Sequence, residues 1–382
     1  MRLLVLFAFL LSPLAAAQTA APTAAPLPVP PPPAVAAKAY VLHDVASGQT
    51  LASQNPAERV EPASLTKLMT AYLTFSALKQ GRIKSDQAVP VSPRAWKAEG
   101  SRMFIEPNKP VTVDELIRGM IVQSGNDACI ALAEAIAGSE EVFAQMMNRE
   151  AARLGMKNTS FMNATGLPHP QHYTTAQDLT LLVSALIRDF PEHYPIYSQK
   201  EFTYNKITQS NRNRLLWLDP TVDGVKTGFT EAAGWCLITS SRRGDRRLIS
   251  VVLGAPSENA RVTENQKLLN YGFQFFDAVR LYQKGQPVAT LEVWKGAAKQ
   301  LKAGFNQDLW LSVPKGAGER LQATIERQQP LVAPVSAGQR VGTVKLTLDG
   351  KSLGEYPLLA LEPVAIASFF GRAWDSLRLW FK

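Results

Sequence analysis

The sequence predicts a mixed α/β (α+β) fold: an antiparallel sheet with helices and an inserted helical block, then a small all-β domain and a C-terminal amphipathic helix. Strand patterns stand at both ends of the first part of the chain. KAYVLHDVASGQTLASQN indicates two strands joined at Ser47 and Gly48, and GWCLITSSR with RRLISVVLGA indicates a hairpin around the basic turn RRGDRR. Helix-period apolar patterns lie between them, so one sheet with a helical insertion is expected.

The first residues predict export. Arg2 precedes the apolar run LLVLFAFLLSPL, and the small residues Ala15, Ala16 and Ala17 offer a cleavage site. Residues 1–17 are therefore predicted to be a signal peptide, since the apolar run is too short to span a bilayer comfortably. Residues 18–37, which include APTAAPLPVPPPPAV, are expected to be an extended leader that builds no core.

The predicted catalytic domain spans residues 38–276, and its helices follow from apolar residues at helix spacing. They are expected at Ala63–Gln80, Asp114–Gln123, Asp127–Ala137, Glu140–Leu154, Thr175–Arg188 and Glu258–Phe276. Short strand patterns such as VATLEV, DLWLSV, LQATIE and VGTVKLTL follow, separated by Gly and Pro turns. They predict an all-β domain over residues 277–362, for which a supporting role is expected because it carries no catalytic motif.

The composition restricts the classes of partner that the chain is expected to bind. The chain has 382 residues and a net charge of +9, from 41 Lys and Arg against 32 Asp and Glu. Export argues against nucleic acid, so an anionic membrane surface or cell-wall polymer is the expected electrostatic counterpart. Cys129 and Cys236 are expected to be buried free thiols, although export also permits a disulfide. Neither cysteine has metal-ligand spacing and the four histidines are scattered, so no metal or cofactor is expected.

The stretch EPASLTKLMT, from Glu61 to Thr70, places a serine three residues before a lysine at the start of a helix. Ser64 and Lys67 would share one helix face, where their side chains meet. The ordinary interpretation is a capping serine and a solvated lysine. The catalytic interpretation is that Ser64 is a nucleophile and that Lys67 is the base beside it.

Two later motifs favour the catalytic interpretation. SGN occurs at Ser124–Asn126 between two helices, and KTG occurs at Lys226–Gly228 before the strand hairpin. S-x-x-K, S-x-N and K-T-G in this order form the set of penicillin-binding proteins and class A β-lactamases. The strings EPASLTKLMT, QSGNDA, NRNRLLW and VDGVKTGFTEAAGWC closely resemble the low-molecular-mass penicillin-binding proteins that are D-alanyl-D-alanine carboxypeptidases. The resemblance implies the serine β-lactamase/transpeptidase-like fold and a peptidase that trims the terminal D-alanine from peptidoglycan pentapeptide stems.

The resemblance also implies roles for the motif residues. Ser64 would form the acyl ester and Lys67 would be its base, with a pKa lowered by burial and by a nearby charge, for which Lys226 is the expected source. Ser124 would relay a proton to the leaving amine, and Asn126 would position substrate amide groups.

The substrate-binding residues follow in the same way. Lys226 and Thr227 would hold the substrate carboxylate, and Gly228 would let substrate backbone pass closely. Backbone N–H groups of Ser64 and Phe229 would form the oxyanion hole. Phe229 departs from the family pattern, because many members have histidine after K-T-G.

Two arginines occupy positions where these carboxypeptidases carry arginines near the site. Arg212 lies in NRNRLLW and Arg261 in ENARVTENQKLL. Either could assist carboxylate binding, and a surface role is equally open.

Other functions remain as alternatives. A class A β-lactamase needs a glutamate that activates water, but the E-x-x-x-N pattern at Glu201–Asn205 lies in a stretch that has a strand pattern. A D,D-endopeptidase or transpeptidase would use the same scaffold. A catalytically silent wall-binding protein is disfavoured by three intact motifs. Stem peptides and β-lactam antibiotics are the expected ligands.

The tail PVAIASFFGRAWDSLRLWFK, residues 363–382, has the pattern of an amphipathic helix. Ile366, Phe370, Trp374, Leu377 and Phe381 would lie on one side, and Arg372, Asp375, Arg378 and Lys382 on the other. The aromatic and basic residues predict a helix that lies in the membrane interface and holds the enzyme peripherally on the periplasmic face of the inner membrane. The alternative is an ordinary core helix packed on the β domain.

Overall fold

The computed structural model describes residues 29–380, so the predicted signal peptide, Phe381 and Lys382 lie outside the described residues. Residues 29–37 contain no helix or strand, but they contact the folded domain. Tyr271 Oη donates to the Pro30 carbonyl oxygen at 2.9 Å, and Val29, Val35 and Ala37 pack on a buried apolar cluster. None of residues 29–37 belongs to the buried core, as expected, and their proline-rich backbone packs in extended form on its surface.

The N-terminal strands form as predicted. β1 (Ala39–Asp44) and β2 (Gln49–Gln54) pair antiparallel, and Gly48 takes a positive φ of 70° in the turn between them. The predicted helix at Ala63–Gln80 differs at its start. Ala63–Thr66 is a 3-10 turn, and helix α1 begins only at Lys67 and ends at Lys79.

The helical block follows the predicted helices within a residue or two, and side-chain caps fix several of its starts. Thr112 and Glu115 form a reciprocal capping box, and Ser139 and Thr175 each accept a backbone N–H. The elements of the block are β3 (Ala88–Val89), α2 (Pro93–Trp96), β4 (Val111–Thr112), α3 (Val113–Val122), α4 (Asn126–Ala137), α5 (Glu140–Arg153) and α6 (Ala176–Asp189).

Strands then return, as the sequence predicts. They comprise β5 (Glu201–Tyr204) and β6 (Ile207–Ser210), the short helix α7 (Leu215–Leu218), the strands β7 (Val222–Thr230), β8 (Gly234–Arg243) and β9 (Arg246–Ala255), and the closing helix α8 (Glu258–Phe275). The basic hairpin turn is confirmed, but its arginines are not all solvated. Arg246 pairs at 2.7 Å with Asp44, which is fully buried, and Arg247 pairs with Asp223 at 2.7 Å.

The central sheet has the antiparallel order β2-β1-β9-β8-β7, so the N- and C-terminal strands meet in its middle. Successive residues of a strand face opposite sides. Ile238 accordingly packs in the core toward the helical block, and Leu237 packs in the core beneath α8. The K-T-G strand β7 lies at the sheet edge, where one side is open to a ligand.

The second unit is the predicted small all-β domain with its own buried core. Its strands are β10 (Phe276–Tyr282), β11 (Pro287–Glu292), β12 (Gln300–Gly304), β13 (Leu309–Pro314), β14 (Leu321–Arg327), β15 (Arg340–Leu348) and β16 (Lys351–Ala360). Its main sheet has the order β11-β12-β16-β15-β14. Ser47 and Ser312 hydroxyls lie 2.8 Å apart, and Gln49 accepts the Ser312 N–H at 2.6 Å, so β13 contacts the turn between β1 and β2.

The tail contains helix α9 (Phe369–Trp380), and no helix within the part of the chain described here has the length and apolar character needed to cross a bilayer. Asp375, which was expected on the polar side of the helix, is 2% exposed and accepts from the Lys295 backbone N–H and from Lys299 Nζ, each at 2.7 Å. Arg378 stacks 5.7 Å from the Trp294 ring. Part of the polar face of α9 therefore contacts the β domain. Both donors to the Asp375 carboxylate come from that domain, and hydrogen bonds to a charged acceptor are strong.

Candidate active site

A cleft of about 480 Å³ opens beside the edge strand β7, and the three motifs converge on it. Residues from the 3-10 turn, the turn before α4, strand β7 and the start of α8 line it. They are Ser64, Ser101, Ser124, Arg212, Thr227, Gly228, Phe229, Trp235, Glu258 and Arg261. The sequence therefore located the cleft, and the fold adds Ser101, Trp235 and Glu258 to its walls.

Ser64 and Lys67, the two residues of the first motif, are in contact. Lys67 Nζ donates to Ser64 Oγ at 3.0 Å and to the Thr165 carbonyl oxygen at 2.6 Å, and Lys67 is only 2% exposed. Helix α1 thus buries its lysine instead of solvating it, and the ordinary interpretation of the motif is wrong. The amine therefore touches a hydroxyl that lines the cleft.

Tight packing shapes the turn that carries Ser64. Ala63 has a positive φ of 46°, which is uncommon for a residue with a side chain. A Cβ on Gly166 would stand 1.8 Å from the Ala63 carbonyl oxygen, so only glycine allows that approach. The neighbouring loop holds the turn in place, and this tertiary contact explains why the element begins as a 3-10 turn.

The pKa of Lys67 is lowered to about 8, chiefly because burial penalises the charged amine. Among the neighbouring positive charges, Arg212 is the one that lowers it further. Lys226 was expected to supply this charge, and that role stays a prediction. Burial, and then the charge of Lys67, lower the pKa of Lys226 well below its usual range, and the repulsion between two positive charges acts on both amines.

Ser124 joins the middle motif to the lysine of the third motif. It lies in the turn between α3 and α4 with a positive φ of 67°, and its Oγ accepts from Lys226 Nζ at 3.0 Å. Ser124 and Lys226 are 3% and 4% exposed. The serine hydroxyls of the first two motifs therefore each contact a buried lysine amine.

Gly228 has a packing role in addition to the one expected. A Cβ there would stand 3.2 Å from the Pro62 carbonyl oxygen and 3.3 Å from the Ala63 Cβ. The glycine therefore lets β7 pack closely on the turn that carries Ser64. Close passage of a substrate backbone remains a prediction.

Asn126 lies behind the cleft wall. Its side-chain amide donates to the Glu99 carbonyl oxygen at 2.6 Å, and its backbone N–H donates to the Ser101 carbonyl oxygen at 2.7 Å. The structure thus shows Asn126 fixing the loop of residues 99–101. Its contact with substrate amides stays a prediction.

The two arginines differ in burial. Arg261 is 3% exposed, donates to Glu258 at 2.9 Å and stacks 5.0 Å from the Trp235 ring, so a surface role is wrong for it. Trp235 in turn stacks on Phe229 with ring centroids 4.3 Å apart. Arg212 is exposed at the cleft. Both guanidinium groups are thus available to a carboxylate in the cleft.

Sequence reasoning missed Asp127, which directly follows the SGN motif. It is 1% exposed, and its carboxylate accepts the backbone N–H groups of Met103, Phe104 and Ile105 at 2.9, 2.8 and 3.2 Å. An acidic residue in a first helical turn is ordinary. Only the fold shows that this one holds the loop beside the cleft.

Within the described residues, the cysteines form no disulfide and the metal-ligating residue types form no cluster. Cys129 and Cys236 are buried free thiols, as predicted, and burial raises their pKa values to about 12 and about 11. Among the described residues, His, Cys, Asp and Glu form no group of three that could hold a metal ion.

This fold and this serine–lysine cleft define a serine peptidase of the transpeptidase-like class. The profile of the D-alanyl-D-alanine carboxypeptidase family matches residues 27–257, and that of the penicillin-binding protein 5 C-terminal domain matches residues 276–365. The chain belongs to the D-alanyl-D-alanine carboxypeptidase family.

Individual relatives and solved structures support this family assignment. The D-alanyl-D-alanine carboxypeptidase DacC of Escherichia coli is 44% identical over 91% of this chain and 89% of its own length. The crystal structure of penicillin-binding protein 5 from Haemophilus influenzae is 41% identical and covers 87% of this chain and 99% of that one, with a TM-score of 0.85. The ampicillin-bound penicillin-binding protein D2 of Listeria monocytogenes is 32% identical and covers 64% of this chain and 100% of its own, with a TM-score of 0.59.

The loop beside the cleft should depend on Asp127. We expect Asp127→Ala to lower the free energy of unfolding of the catalytic domain by ~3 kcal/mol, because three buried N–H groups lose a charged acceptor. We also expect penicillin acylation to slow, since the loop carries Ser101. Urea unfolding and acylation kinetics measure both effects.

Asp114→Ala is the matched control, because Asp114 is also an acid in a first helical turn but is partly exposed and paired with Arg118. It should cost at most ~1 kcal/mol and leave acylation unchanged. Equal effects of the two substitutions would remove the special role of Asp127.

Proposed function

We propose that this chain is an exported serine-type D-Ala-D-Ala carboxypeptidase that removes the terminal D-alanine from peptidoglycan pentapeptide stems through an acyl-enzyme on Ser64. The observation that carries the proposal is the 3.0 Å contact between Ser64 Oγ and the buried amine of Lys67, whose pKa is lowered to about 8. An amine with that pKa is partly neutral near neutral pH and can accept the hydroxyl proton.

The first half-reaction uses the first two motifs. Neutral Lys67 takes the Ser64 proton as Oγ attacks the carbonyl carbon of the penultimate D-alanine. The C–N bond to the terminal D-alanine then breaks. Ser124 gives its hydroxyl proton to the leaving amine and takes the proton that Lys67 holds, so Lys67 returns to its neutral form. Backbone N–H groups of Ser64 and Phe229, two cleft residues, would hold the oxyanion. Water then hydrolyses the ester and frees Ser64.

The substrate carboxylate fits the other side of the cleft. Thr227, Arg212 and Arg261 line that side, and Lys226 lies directly behind it. A carboxylate close to Lys226 would favour its charged form, because an opposite charge offsets the burial penalty. The site would thus bind the C-terminal anion of a stem peptide and raise the pKa of Lys226 as it does so.

Acylation by penicillin tests the assignment of nucleophile and base. We expect wild-type protein to carry one penicillin adduct on Ser64, Ser64→Ala to carry none, and Lys67→Ala to fold normally yet lose at least about a hundredfold in acylation rate. Mass spectrometry and fluorescent penicillin give site and rate. Lys79→Ala in the same helix is the control and should label normally.

Labelling retained in Ser64→Ala, or near-normal rates in Lys67→Ala, would contradict the mechanism. Incubation of wild-type protein with a pentapeptide stem separates the possible activities. Free D-alanine with a tetrapeptide product indicates a carboxypeptidase, cross-linked product indicates a transpeptidase, and absence of any product indicates a silent binding protein.

Peripheral attachment to the outer face of the inner membrane is the second part of the proposal. Asp375 and Arg378 contact the β domain, while Phe369, Trp374 and Trp380 are 71%, 62% and 84% exposed. A core helix would bury its aromatic side chains. This arrangement supports the interfacial interpretation, in which the exposed aromatic residues enter the lipid headgroup region.

Truncation after Pro363 should move the protein from the membrane pellet to the supernatant without loss of D-alanine release in solution. The matched full-length variant Trp374→Ala/Trp380→Ala should weaken binding to vesicles of phosphatidylglycerol and phosphatidylethanolamine by about tenfold or more while α9 stays folded. Flotation assays measure this. Binding unaffected by either change would refute the anchor, and unfolding of the truncated protein would favour a core helix.

A further inference from the structure

A second groove of about 310 Å³ adjoins the catalytic cleft. Ser101 lines the cleft, and the next residue, Arg102, lines the groove. The other walls are Trp96, Phe104, Ile105, Glu106 and Pro107. One short loop therefore serves both openings, and none of the three catalytic motifs contributes a residue to the second.

The loop is held in a strained form. Phe104 has a positive φ of 69°, which is an outlier for a bulky side chain. The buried Asp127 carboxylate accepts its N–H and those of its neighbours, and Gln209 donates to the Arg102 carbonyl oxygen at 2.9 Å. Such strain persists where the surroundings enforce it, and it is concentrated at functional positions. Here it holds the Phe104 ring at the surface.

The groove presents aromatic rings and a cation to solvent. Trp96 and Phe104 are 44% and 39% exposed, and the Arg102 guanidinium lies 5.3 Å from the Phe104 ring centroid. Arg102 makes no ion pair among residues 29–380. Glu106, the acidic residue in the groove, forms an ion pair with Lys109 at 2.6 Å and accepts a hydrogen bond from Asn205 at 2.9 Å.

We propose that this groove is an extended substrate site that binds the sugar-proximal part of the stem whose C-terminus occupies the catalytic cleft. The proposal rests on the proposed function. Trp96 and Phe104 pack on the C–H face of a hexosamine ring, and Arg102 pairs with a stem carboxylate. The groove thereby selects glycan-linked stems over free D-Ala-D-Ala peptides.

The geometry of a peptide supports one continuous path. An extended chain covers about 3.3–3.6 Å per residue, so the residues between the scissile bond and the sugar reach ~14 Å beyond Ser64. Arg102, which lines the groove, directly follows Ser101, which lines the cleft. The same loop that Asp127 holds would therefore position substrate at both ends.

The test compares two substrates in the full-length protein, a disaccharide pentapeptide and an acylated D-Ala-D-Ala dipeptide. We expect Trp96→Ala/Phe104→Asn to raise KM for the disaccharide pentapeptide about tenfold with little change in kcat, and to leave the dipeptide kinetics unchanged. Asparagine tolerates positive φ, so the Phe104→Asn change removes the ring without adding strain. Arg102→Gln should act in the same direction. Leu181→Ala removes a similarly exposed apolar side chain on α6 (40% exposed), so it is the matched control and should change neither substrate.

The outcomes separate this proposal from the catalytic one. If wild-type protein turns over neither substrate, the proposed function fails. If wild-type protein is active and the groove variants treat both substrates alike, the extended site is overturned, whether both KM values are unchanged or both rise. A selective rise for the glycan-linked substrate is the supporting result.

Discussion

The structure depends on burying an amine beside a hydroxyl. Lys67 is removed from water, contacts Ser64 Oγ at 3.0 Å and is held by the Thr165 carbonyl oxygen at 2.6 Å. Burial disfavours the charged amine, and this penalty makes the amine a base. The close packing of Gly166 on the Ala63 turn and of Gly228 beside it supports this arrangement, because both contacts are with the turn that carries Ser64.

The positive charges in the cleft have two effects at once. Arg212 lowers the pKa of Lys67, and the charge of Lys67 lowers the pKa of Lys226. The same positively charged side chains create a field that attracts an anion, and the ion pair of Glu258 with Arg261 offsets this field only partly. A site built to generate a neutral amine is therefore also a site for the carboxylate of a C-terminal residue.

Much of this could be predicted from the sequence, because it depends on local patterns. Helix periodicity and caps located the helical block, alternation located the strand hairpin, and three short motifs located the cleft. The rest required the fold. The 3-10 start at Ala63, the loop held by Asp127, the docking of Asp375 and the role of Arg212 as the neighbouring charge each come from contacts between residues far apart in the chain. No local pattern encodes which N–H groups will surround a carboxylate.

The most direct test is the titration of Lys67 itself by NMR, with carbon-labelled lysine and the Lys67→Arg spectrum for assignment. The account predicts a pKa near 8, against the ordinary value of 10.5. Between these two values the unfolded chain binds more protons at this site than the folded one, so this group should make the protein more stable as pH rises through that window. A Lys67 that titrates near 10.5 would contradict the account, because a fully charged amine cannot take the Ser64 proton.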